Sequence, residues 1–244
     1  MDNEKIIKLA EFINTSKKTV FFGGAGVSTE SGVKDYRSED GLYNTVREYG
    51  VSPETILSHS FFISKPDIFY DFYYKYFLEL DVEPNTAHLV LAEMEQKGKL
   101  SSVITQNIDG LHQKAGSKEV MELHGSVLRN YCQRCGKFHG IEAILHSDGV
   151  PKCECGGTIK PDVVLYEEGL DQHTIQRSVY HISNADVLII GGTSLTVYPA
   201  AGLIDYYNGN KLVLINKSVT AMDSRADLVI SGPIGEILGD AVGV

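Results

Sequence analysis

The stretch FFGGAGVSTESGVKDYRS, residues 21–38, joins an apolar run to a glycine-rich turn and a charged loop. The run KTVFF reads as a buried strand that enters this turn. Glycines let the backbone turn tightly and approach a phosphate, and the N-terminus of a following helix favours an anion. The pattern is not a strict G-x-G-x-x-G, because position 29 is Thr. From these residues alone, a nucleotide site and a merely tight strand-to-helix turn are equally open.

Four further apolar runs end in the same way, in polar residues or glycine. They are LSSVITQN (100–107), ADVLIIGGTS (185–194), NKLVLINKS (210–218) and ADLVISG (226–232). Helical patterns alternate with them, and the first of these places five apolar residues on one predicted face: Ile6, Ile7, Leu9, Ala10 and Ile13. Apolar strands separated by helices predict an α/β fold with a parallel sheet covered on both faces. In such sheets, ligands bind beyond the carboxyl ends of the strands.

Two segments do not fit the sheet pattern. Residues 38–80 are rich in aromatic side chains and helical in pattern, and residues 126–160 carry all the cysteines. We predict that both are insertions that together form a smaller lobe. The large domain would then be discontinuous and would consist of residues 1–37, 81–125 and 161–244.

The cysteines have the spacing of a metal site. The chain contains four of them within 24 residues: Cys132, Cys135, Cys153 and Cys155. Four thiolates form the closed tetrahedral set of a structural zinc site, whereas a catalytic zinc keeps an open position. Glycines nearby, Gly136, Gly156 and Gly157, permit tight turns. A disulfide is less favoured in a protein expected to be cytoplasmic. A redox C-x-x-C pair is less favoured because no thioredoxin-like βαβ context surrounds the first two cysteines.

Composition narrows the class of protein. The 244 residues carry a net charge of −10 without any basic block, so a nucleic-acid partner has little electrostatic support. No apolar run approaches the ~18 residues of a membrane span. The first residues, MDNEKIIKLAEF, lack the apolar core of a signal peptide. We therefore expect a cytoplasmic protein with reduced cysteines and with neither nucleic acid nor membrane as a partner.

An ordered set of short motifs resembles the sirtuins, the NAD-dependent protein deacylases. After GAGVS and SGVKDYRS come TQNIDGLH (105–112), His124-Gly125, the four cysteines, KPDVV (160–164), GGTSLTVYPA (191–200) and Ile215-Asn216. The resemblance spans about residues 20–235. It implies a Rossmann-like parallel-sheet domain with a smaller inserted lobe, made of a helical module and a four-cysteine zinc ribbon. It also implies NAD as co-substrate and one structural zinc.

The resemblance implies which residues contact the cofactor. On spacing alone, a turn is slightly favoured for the segment that contains TQNIDGLH, and a turn and a ligand site are equally open for GGTSLTVYPA. In sirtuins they place Gln106 and Asn107 near the ribose, Asp109 on the carboxamide and Asn216 on the adenosine ribose, while Ile234 touches adenine through its backbone. The full implied set is Gly24, Ala25, Gly26, Thr29, Tyr36, Arg37, Gln106, Ile108, Asp109, His124, Thr193, Ser194, Asn216 and Ile234.

His124 corresponds to the sirtuin general base, with Asn107 as the second catalytic residue. A lone histidine among eight is more often structural, and we interpret His88 and His112 in that way. Histidine nevertheless has the intrinsic pKa for base catalysis near neutrality. In the implied reaction, the acetyl-lysine oxygen attacks C1′ of the nicotinamide ribose, and His124 then activates a ribose hydroxyl. The products are lysine, nicotinamide and O-acetyl-ADP-ribose.

The implied partners are acetylated lysine peptides or proteins, which bind as an added strand between the lobes. Val164 and Tyr166 would lie near the acyl-lysine, and Val197 would border the cleft. Sirtuins that remove acidic acyl groups use Tyr-x-x-Arg in the helical insert, but this chain has no arginine between Arg47 and Arg129. We therefore predict deacetylation rather than desuccinylation.

The chain departs from the family pattern at two places that bear on the site. Glu167-Glu168 replaces the usual Gly-Glu, and we expect the extra acid to favour basic residues around the acyl-lysine. The second cysteine knuckle has one intervening residue rather than two, which puts the regularity of the zinc geometry in question.

Three other functions stay open at this point. An NAD-dependent ADP-ribosyltransferase could use the same scaffold, and a noncatalytic NAD or zinc-binding module would need only its binding residues. The presence of Asn107, Asp109 and His124 argues against the noncatalytic module. An NAD oxidoreductase is a further possibility, but nothing in the sequence calls for hydride transfer.

Overall fold

The computed structural model describes residues 3–33, 46–78 and 81–243. Its strands form two separate sheets, one parallel and one antiparallel. In chain order they are β1 (Thr19–Gly23), β2 (Leu100–Thr105), β3 (Val120–Glu122), β4 (Gly125–Cys132), β5 (Phe138–Gly140), β6 (Ile159–Val163), β7 (Val187–Gly191), β8 (Leu212–Asn216) and β9 (Leu228–Ser231).

Helices cover both sheets, and several of them are single turns. In chain order they are α1 (Asn3–Thr15), α2 (Ala25–Ser28), α3 (Pro53–Ile56), α4 (His59–Ser64), α5 (Pro66–Tyr76), α6 (Thr86–Gln96), α7 (Leu111–Lys114), α8 (Glu142–Leu145), α9 (Gln172–Ser183) and α10 (Ile234–Val242). Among the described residues, 3₁₀ helices span Thr29–Ser31, Ala200–Tyr206 and Asp223–Arg225.

The large sheet has the strand order β3-β2-β1-β7-β8-β9, with every pair parallel. Numbered by chain order within this sheet, the arrangement is 3-2-1-4-5-6, the order of the Rossmann fold. The predicted parallel sheet is confirmed. Chain connections leave β1 and β7 in opposite directions, which opens a crevice beyond their carboxyl ends, and the glycine turn lies there.

Two apolar cores cover the faces of this sheet. Helices α1, α6 and α10 supply one core, and α9 with the 3₁₀ helix Ala200–Tyr206 supplies the other. Strands β1 and β7 are buried at every position, which explains their continuous apolar sequences. The predicted face of α1 was wrong at one residue: Ile6, Leu9 and Ile13 are buried, but Ile7 is 67 % exposed because it lies off their helical spacing.

A smaller sheet of order β5-β4-β6 packs with the helices α3, α4 and α5 around a third core. The aromatic residues of α5 supply much of that core, since Phe69, Tyr70, Phe72 and Tyr73 are all at most 1 % exposed. This is the expected smaller lobe with a helical module and a cysteine-bearing ribbon. The division at residues 37/38, 80/81, 125/126 and 160/161 stays a prediction.

Candidate functional site

A cavity of about 250 Å³ lies between the carboxyl edge of the large sheet and the smaller lobe. Its walls come from the segments that follow β1, β2, β6 and β7, and from α5. Many of the residues singled out in the sequence meet there. They are Ala25, Gln106, Asn107, Ile108, Asp109, His124, Val164, Tyr166 and Val197.

A hydrogen-bonded chain through Ser28 organises one wall. The Asn107 amide donates from Nδ2 to Ser28 Oγ at 2.9 Å, and Ser28 Oγ donates to Asp109 Oδ2 at 2.7 Å. The other carboxylate oxygen of Asp109 accepts from the backbone N–H of Leu111 at 2.9 Å. Sequence reasoning quoted Ser28 within a motif but gave it no role. At 1 % exposure it fixes the side chains of two predicted site residues at once.

His124 occupies the link between β3 and β4. Its Nδ1 lies 3.0 Å from the backbone carbonyl oxygen of Gln106. Because a carbonyl only accepts, Nδ1 carries the proton, and Nε2 is the basic nitrogen of the ring. The backbone is held as well, since the carbonyl of His124 accepts from the N–H of Val164 at 3.0 Å. The ring orientation and the tautomer are therefore both set by neighbouring backbone.

A second set of hydrogen bonds joins the ends of β2, β7 and β8. Gln106 donates from Nε2 to Thr193 Oγ1 at 3.0 Å. The side chain of Asn216 makes a two-sided contact with the backbone of Thr193, accepting from its N–H at 3.0 Å and donating to its carbonyl at 2.8 Å. Ser194 is exposed, and its hydroxyl contacts that of Thr196 at 2.8 Å. The cofactor contacts of these residues stay predictions.

The glycines of the first turn have a packing role. A Cβ on Gly26 would lie 2.7 Å from the Cα of Gly192, and one on Gly24 would lie 2.7 Å from Cβ of Thr193. The N–H groups of Gly24 and Gly26 donate to the carbonyls of Gly191 and Gly192, at 3.3 and 2.8 Å. Glycine is thus required at these positions because the turns after β1 and β7 are in contact. The sequence suggested a different reason, namely that glycine lets the backbone approach a phosphate.

Two other predicted cofactor residues, Thr29 and Ile234, are not among the residues that line the cavity, and two more are not described. Thr29 is exposed, and its hydroxyl donates to the carbonyl of Gly26 at 3.0 Å. The N–H of Ile234 donates to Glu30 Oε1 at 2.8 Å, so that group is already occupied by a carboxylate. Tyr36 and Arg37 lie outside the described residues. All four stay predictions.

Asn85 connects α6 to the segment after β1 through hydrogen bonds of its side chain. Its Nδ2 donates to the carbonyl of Val27 at 2.7 Å, and its Oδ1 accepts from the N–H of Ala87 at 2.9 Å as the helix cap. His88 and His112 are buried behind it, with ring centroids 4.7 Å apart. Burial lowers the pKa of His88 to about 4, against the opposing charge of Asp109, and lowers that of His112 to about 3. Both are therefore neutral near pH 7.

The segment after β6 forms another wall, and the short segment before α4 holds it. The N–H of Tyr166 donates to the carbonyl of Leu57 at 2.9 Å, and the N–H of His59 donates to the carbonyl of Tyr166 at 3.0 Å. Glu167 has a φ of 76°, and its carboxylate accepts from both the N–H and the hydroxyl of Ser60, each at 2.9 Å. This side chain therefore anchors the segment, and its expected preference for basic substrate residues stays a prediction.

Glu168 is also engaged within the protein. It accepts from Lys160 Nζ at 3.0 Å and from the N–H of Leu165 at 2.9 Å, and its other oxygen contacts His59 Nδ1 at 2.8 Å. Burial opposes ionisation, but these donors together lower the pKa of Glu168. The residue is thus a charged link between β6 and α4.

The four cysteine sulfurs converge, and they all lie within 4.8 Å of one another. Cys132 and Cys155 Sγ are 3.4 Å apart, and Cys135 and Cys153 Sγ are 3.8 Å apart. Zinc–sulfur bonds of about 2.3 Å in a tetrahedron place sulfurs roughly 3.8 Å apart, so the donor set fits zinc. The single residue between Cys153 and Cys155 still brings both sulfurs into the cluster.

Gly156 and Gly157 make the short knuckle possible. The N–H of Gly156 donates to the carbonyl of Cys153 at 2.8 Å, in a turn for which Gly156 takes a φ of 82°. A Cβ on Gly157 would lie 2.7 Å from the sulfur of Cys132. Residue 157, which follows the second cysteine pair, therefore has to be glycine so that the sulfur of Cys132 can approach the other three sulfurs.

Comparisons with known proteins agree with this geometry. A model of the Sir2 family matches residues 24–199. The chain belongs to the Sir2 family. An NAD-dependent protein deacetylase of Clostridium acetobutylicum is 57 % identical over 96 % of this chain and 97 % of its own. A protein of the same name from Cutibacterium acnes is 50 % identical over 95 % of each chain.

Solved Sir2 structures share the whole architecture. Sir2 bound to an acetylated peptide superposes with a TM-score of 0.85 at 37 % identity, over 97 % of this chain and 96 % of that one. Sir2 with a p53 peptide and NAD⁺ superposes with a TM-score of 0.86 at 38 % identity, over the same shares. Within the described residues, no helix of this Sir2 family member is long and apolar enough to cross a membrane.

Proposed function

We propose that this protein is an NAD-dependent protein-lysine deacetylase, which transfers the acetyl group of acetyl-lysine to ADP-ribose and releases nicotinamide. The observation that carries the proposal is the single cavity lined by Asn107, Asp109 and His124 in a member of the Sir2 family. Relatives that match nearly the whole chain carry the name of this activity. The substrates are acetylated lysine peptides or proteins, as in the peptide-bound Sir2 structures.

The chemistry of the cavity fits NAD. Amide, hydroxyl and carboxylate groups on Asn107, Ser28 and Asp109 are joined in one network at the crevice of the parallel sheet, where dinucleotides bind. When bound, NAD supplies an electrophilic ribose carbon and the ADP-ribose that accepts the acetyl group. Asn107 orients the ribose, and Asp109 accepts a hydrogen bond from the carboxamide of the leaving nicotinamide. Ser28 holds both side chains in place.

His124 acts as the general base. With the proton of Nδ1 committed to the carbonyl of Gln106, Nε2 accepts a proton from a ribose hydroxyl. The carbonyl of Gln106 also stabilises the imidazolium that results. The predicted cofactor residues and the base are thus joined through one backbone segment, residues 106–109 after β2.

The acyl-lysine enters beside the segment that contains Val164 and Tyr166, and Val197 lines the same cavity. The described lining residues include Asp109, Glu167 and Glu168 but neither lysine nor arginine. A carboxylate at the end of the acyl group would meet repulsion without a cationic partner. The charge of the wall therefore favours acetyl over succinyl.

Zinc has a structural role in this proposal. Four thiolates leave no open position for chemistry, and the cysteine cluster is separate from the residues that line the cavity. Burial opposes ionisation of Cys132, but N–H groups of Cys135 and Arg134 lower its pKa to about 6, which favours the thiolate. The thiols must stay reduced, and this agrees with the cytoplasmic location that we propose.

The test is NAD-dependent loss of acetyl from an acetyl-lysine peptide, followed by mass spectrometry. We expect free lysine peptide, nicotinamide and O-acetyl-ADP-ribose in equal amounts, and we expect His124→Tyr to abolish all three. His146→Tyr is the matched control, since His146 is exposed and outside the cavity. ADP-ribose attached to protein in place of free O-acetyl-ADP-ribose would favour the transferase, and no turnover at all would refute both enzymes.

A further inference from the structure

Arg129 of β4 pairs with carboxylates from both sheets. Its Nη1 donates to Glu122 Oε2 at 2.6 Å, and its Nε donates to Asp162 Oδ2 at 2.8 Å. Glu122 ends β3 of the large sheet, whereas Asp162 belongs to β6 of the small sheet. The Glu122 side chain is only 9 % exposed, so its charge depends on this cation as a partner. One guanidinium therefore connects the two sheets.

The same ion pairs lie on both sides of the link that carries His124. Glu122 precedes this link, and Asp162 lies against it, since a Cβ added to Gly125 would be 1.8 Å from the carbonyl oxygen of Asp162. Gly125 takes a φ of 77° there, a conformation that favours glycine. The backbone after His124 therefore follows the position of Asp162, whose carboxylate Arg129 holds.

The pairing of β4 with β6 is irregular near its middle. Ser126 lies opposite Asp162, but Asn130 lies opposite Pro161. Residues 127–129 therefore bulge out of the pairing. Bulges re-aim side chains and are frequent next to active sites. The last residue of this bulge carries the guanidinium, so the two ion pairs fix the bulge in one position.

The bulge contacts the segment after β2. The N–H of Val127 donates to the carbonyl of Ile108 at 3.0 Å. The side chain of Leu128 packs on Gly110, where an added Cβ would lie 2.7 Å from Leu128 Cδ1. Asp109 lies between these two contacts and is the predicted partner of the nicotinamide carboxamide. A shift of the bulge would therefore move the backbone that carries Asp109.

We propose that Arg129 is a positioning residue for the transfer reaction: it fixes the bulge of β4, and the bulge sets the positions of Asp109 and His124. Arg129 is not among the described residues that line the cavity, so it acts through these other groups. The inference rests on the proposed deacetylase function and deepens it, because it names a residue outside the cavity on which both the base and the nicotinamide contact depend.

The experiment measures product inhibition by nicotinamide in Arg129→Met, which keeps the aliphatic stem and removes both ion pairs. We expect the inhibition constant for nicotinamide to rise about fivefold and kcat on an acetyl peptide to fall about tenfold, since misplacement by about 1 Å costs roughly 100-fold. Loss of folded protein would lower the apparent kcat but would leave the inhibition constant unchanged. The inhibition constant therefore separates positioning from stability.

The KM for the peptide gives a second readout. The segment that contains Tyr166 has its own backbone hydrogen bonds to Leu57 and His59, which do not involve Arg129. We therefore expect the peptide KM of Arg129→Met to stay within about twofold of the wild-type value. A peptide KM that rises as much as the nicotinamide constant would indicate general loosening of the cavity and would overturn the inference.

Arg177→Met is the matched control. Arg177 pairs with Glu119, which directly precedes β3, and its side chain is 41 % exposed against 38 % for Arg129. Neither Arg177 nor Glu119 is among the described residues that line the cavity. We expect a lower melting temperature and an unchanged inhibition constant for nicotinamide. An equal rise of that constant in both variants would assign the effect to stability and overturn the inference.

Two conservative variants complete the test. Glu122→Gln keeps an oxygen that accepts from Arg129, so we expect an inhibition constant within about twofold of the wild-type value. A rise as large as that of Arg129→Met would assign the effect to charge rather than position and overturn the inference. If Arg129→Met does not fold, Arg129→Lys decides instead. Its ammonium keeps the charge without the fork of arginine, so we expect a rise of about threefold, and a wild-type constant would overturn the inference.

The outcomes separate this inference from the proposed function. Absence of NAD-dependent turnover of the acetyl peptide by the wild-type protein would refute the function itself. Wild-type turnover together with an unchanged inhibition constant for nicotinamide in Arg129→Met would refute only the inference.

Discussion

The cavity and the cysteine cluster are assembled in opposite ways. The cluster takes its four sulfurs from Cys132 to Cys155, and two short turns bring them together. The network of the cavity joins Ser28, Asn107 and His124, which come from the ends of different strands. Local spacing is therefore enough to recognise the cluster, whereas the network exists only once the parallel sheet has formed.

The two regions should also respond differently to mutation. In the cavity, Ser28 holds the side chains of both Asn107 and Asp109, so its loss disturbs two site residues at once. In the cluster, the metal holds the ligands, so the loss of one affects stability first. A comparison of activity with stability in matched variants tests this contrast.

After the loss of activity expected for His124→Tyr, the largest expected effect is that of Ser28→Ala on activity. Asn107 and Asp109 lose their shared partner, and misplacement of catalytic groups by about 1 Å costs roughly 100-fold in rate. We therefore expect kcat on an acetyl peptide to fall about 100-fold. Ser178→Ala is the matched control, since Ser178 is equally buried but bonds only the carbonyl of Thr174 within α9. Wild-type kcat in Ser28→Ala would show that Asn107 and Asp109 need no common partner.

Removal of a cysteine ligand should act mainly on stability. Cys155→Ala is expected to lose bound zinc and to lower the melting temperature by roughly 5–10 °C, because metal binding contributes directly to the folding free energy. Elemental analysis and thermal melts measure both. Glu154→Ala is the control, since Glu154 is exposed beside this cysteine and pairs only with Lys137. One zinc per chain and an unchanged melt would mean that Cys155 is not a ligand.

The same contrast explains what could be predicted from the sequence. Continuous apolar runs predicted the parallel sheet, and the cysteine spacing predicted the cluster, because both signals are local. Ser28, Asn85 and Glu30 were not singled out, because their partners are distant: Asp109, the carbonyl of Val27 and the N–H of Ile234. No spacing rule in one sequence marks such pairs.

Glu167 has a structural contact that the sequence did not reveal. Its charge suggested contact with substrate, but the structure gives it a positive φ and a capping contact with Ser60. Charge is readable from the sequence, whereas the partner of that charge depends on how α4 packs against the segment after β6. The cofactor roles of Tyr36 and Arg37 stay predictions, since both lie outside the described residues.

The buried histidines predict a pH effect on stability. His88 and His112 have folded pKa values of about 4 and about 3, below the ordinary value of about 6.5 in the unfolded chain. The unfolded chain therefore binds more protons between these values. The stability that these residues contribute is present above about pH 6.5 and is lost as the pH falls towards 4 and then 3.

Urea unfolding between pH 7.5 and 4.5 measures this loss. In His112→Phe, which removes two ring nitrogens without partners among the described residues, we expect a shallower decline of the unfolding free energy with falling pH. His146→Phe removes an exposed histidine and should keep the wild-type slope. Equal slopes for the wild type and both variants would show that His88 and His112 do not cause the loss of unfolding free energy at low pH.

The smallest effect concerns one methyl group beside the cysteine cluster. In Gly157→Ala, the new Cβ would lie 2.7 Å from Cys132 Sγ and 2.6 Å from Cβ of Arg134, so the knuckle must shift. Overpacking of this kind costs about 1–3 kcal/mol, which corresponds to a fall in melting temperature of roughly 2–10 °C. In Gly169→Ala, by contrast, nothing lies within 4 Å of the added Cβ, and we expect no loss of stability.

Because the clash is with a ligand sulfur, Gly157→Ala should also weaken zinc retention against a chelator while kcat on the acetyl peptide stays near wild type. A fall in kcat with zinc fully retained would mean that the cluster and the cavity are more closely coupled than their separate assembly indicates.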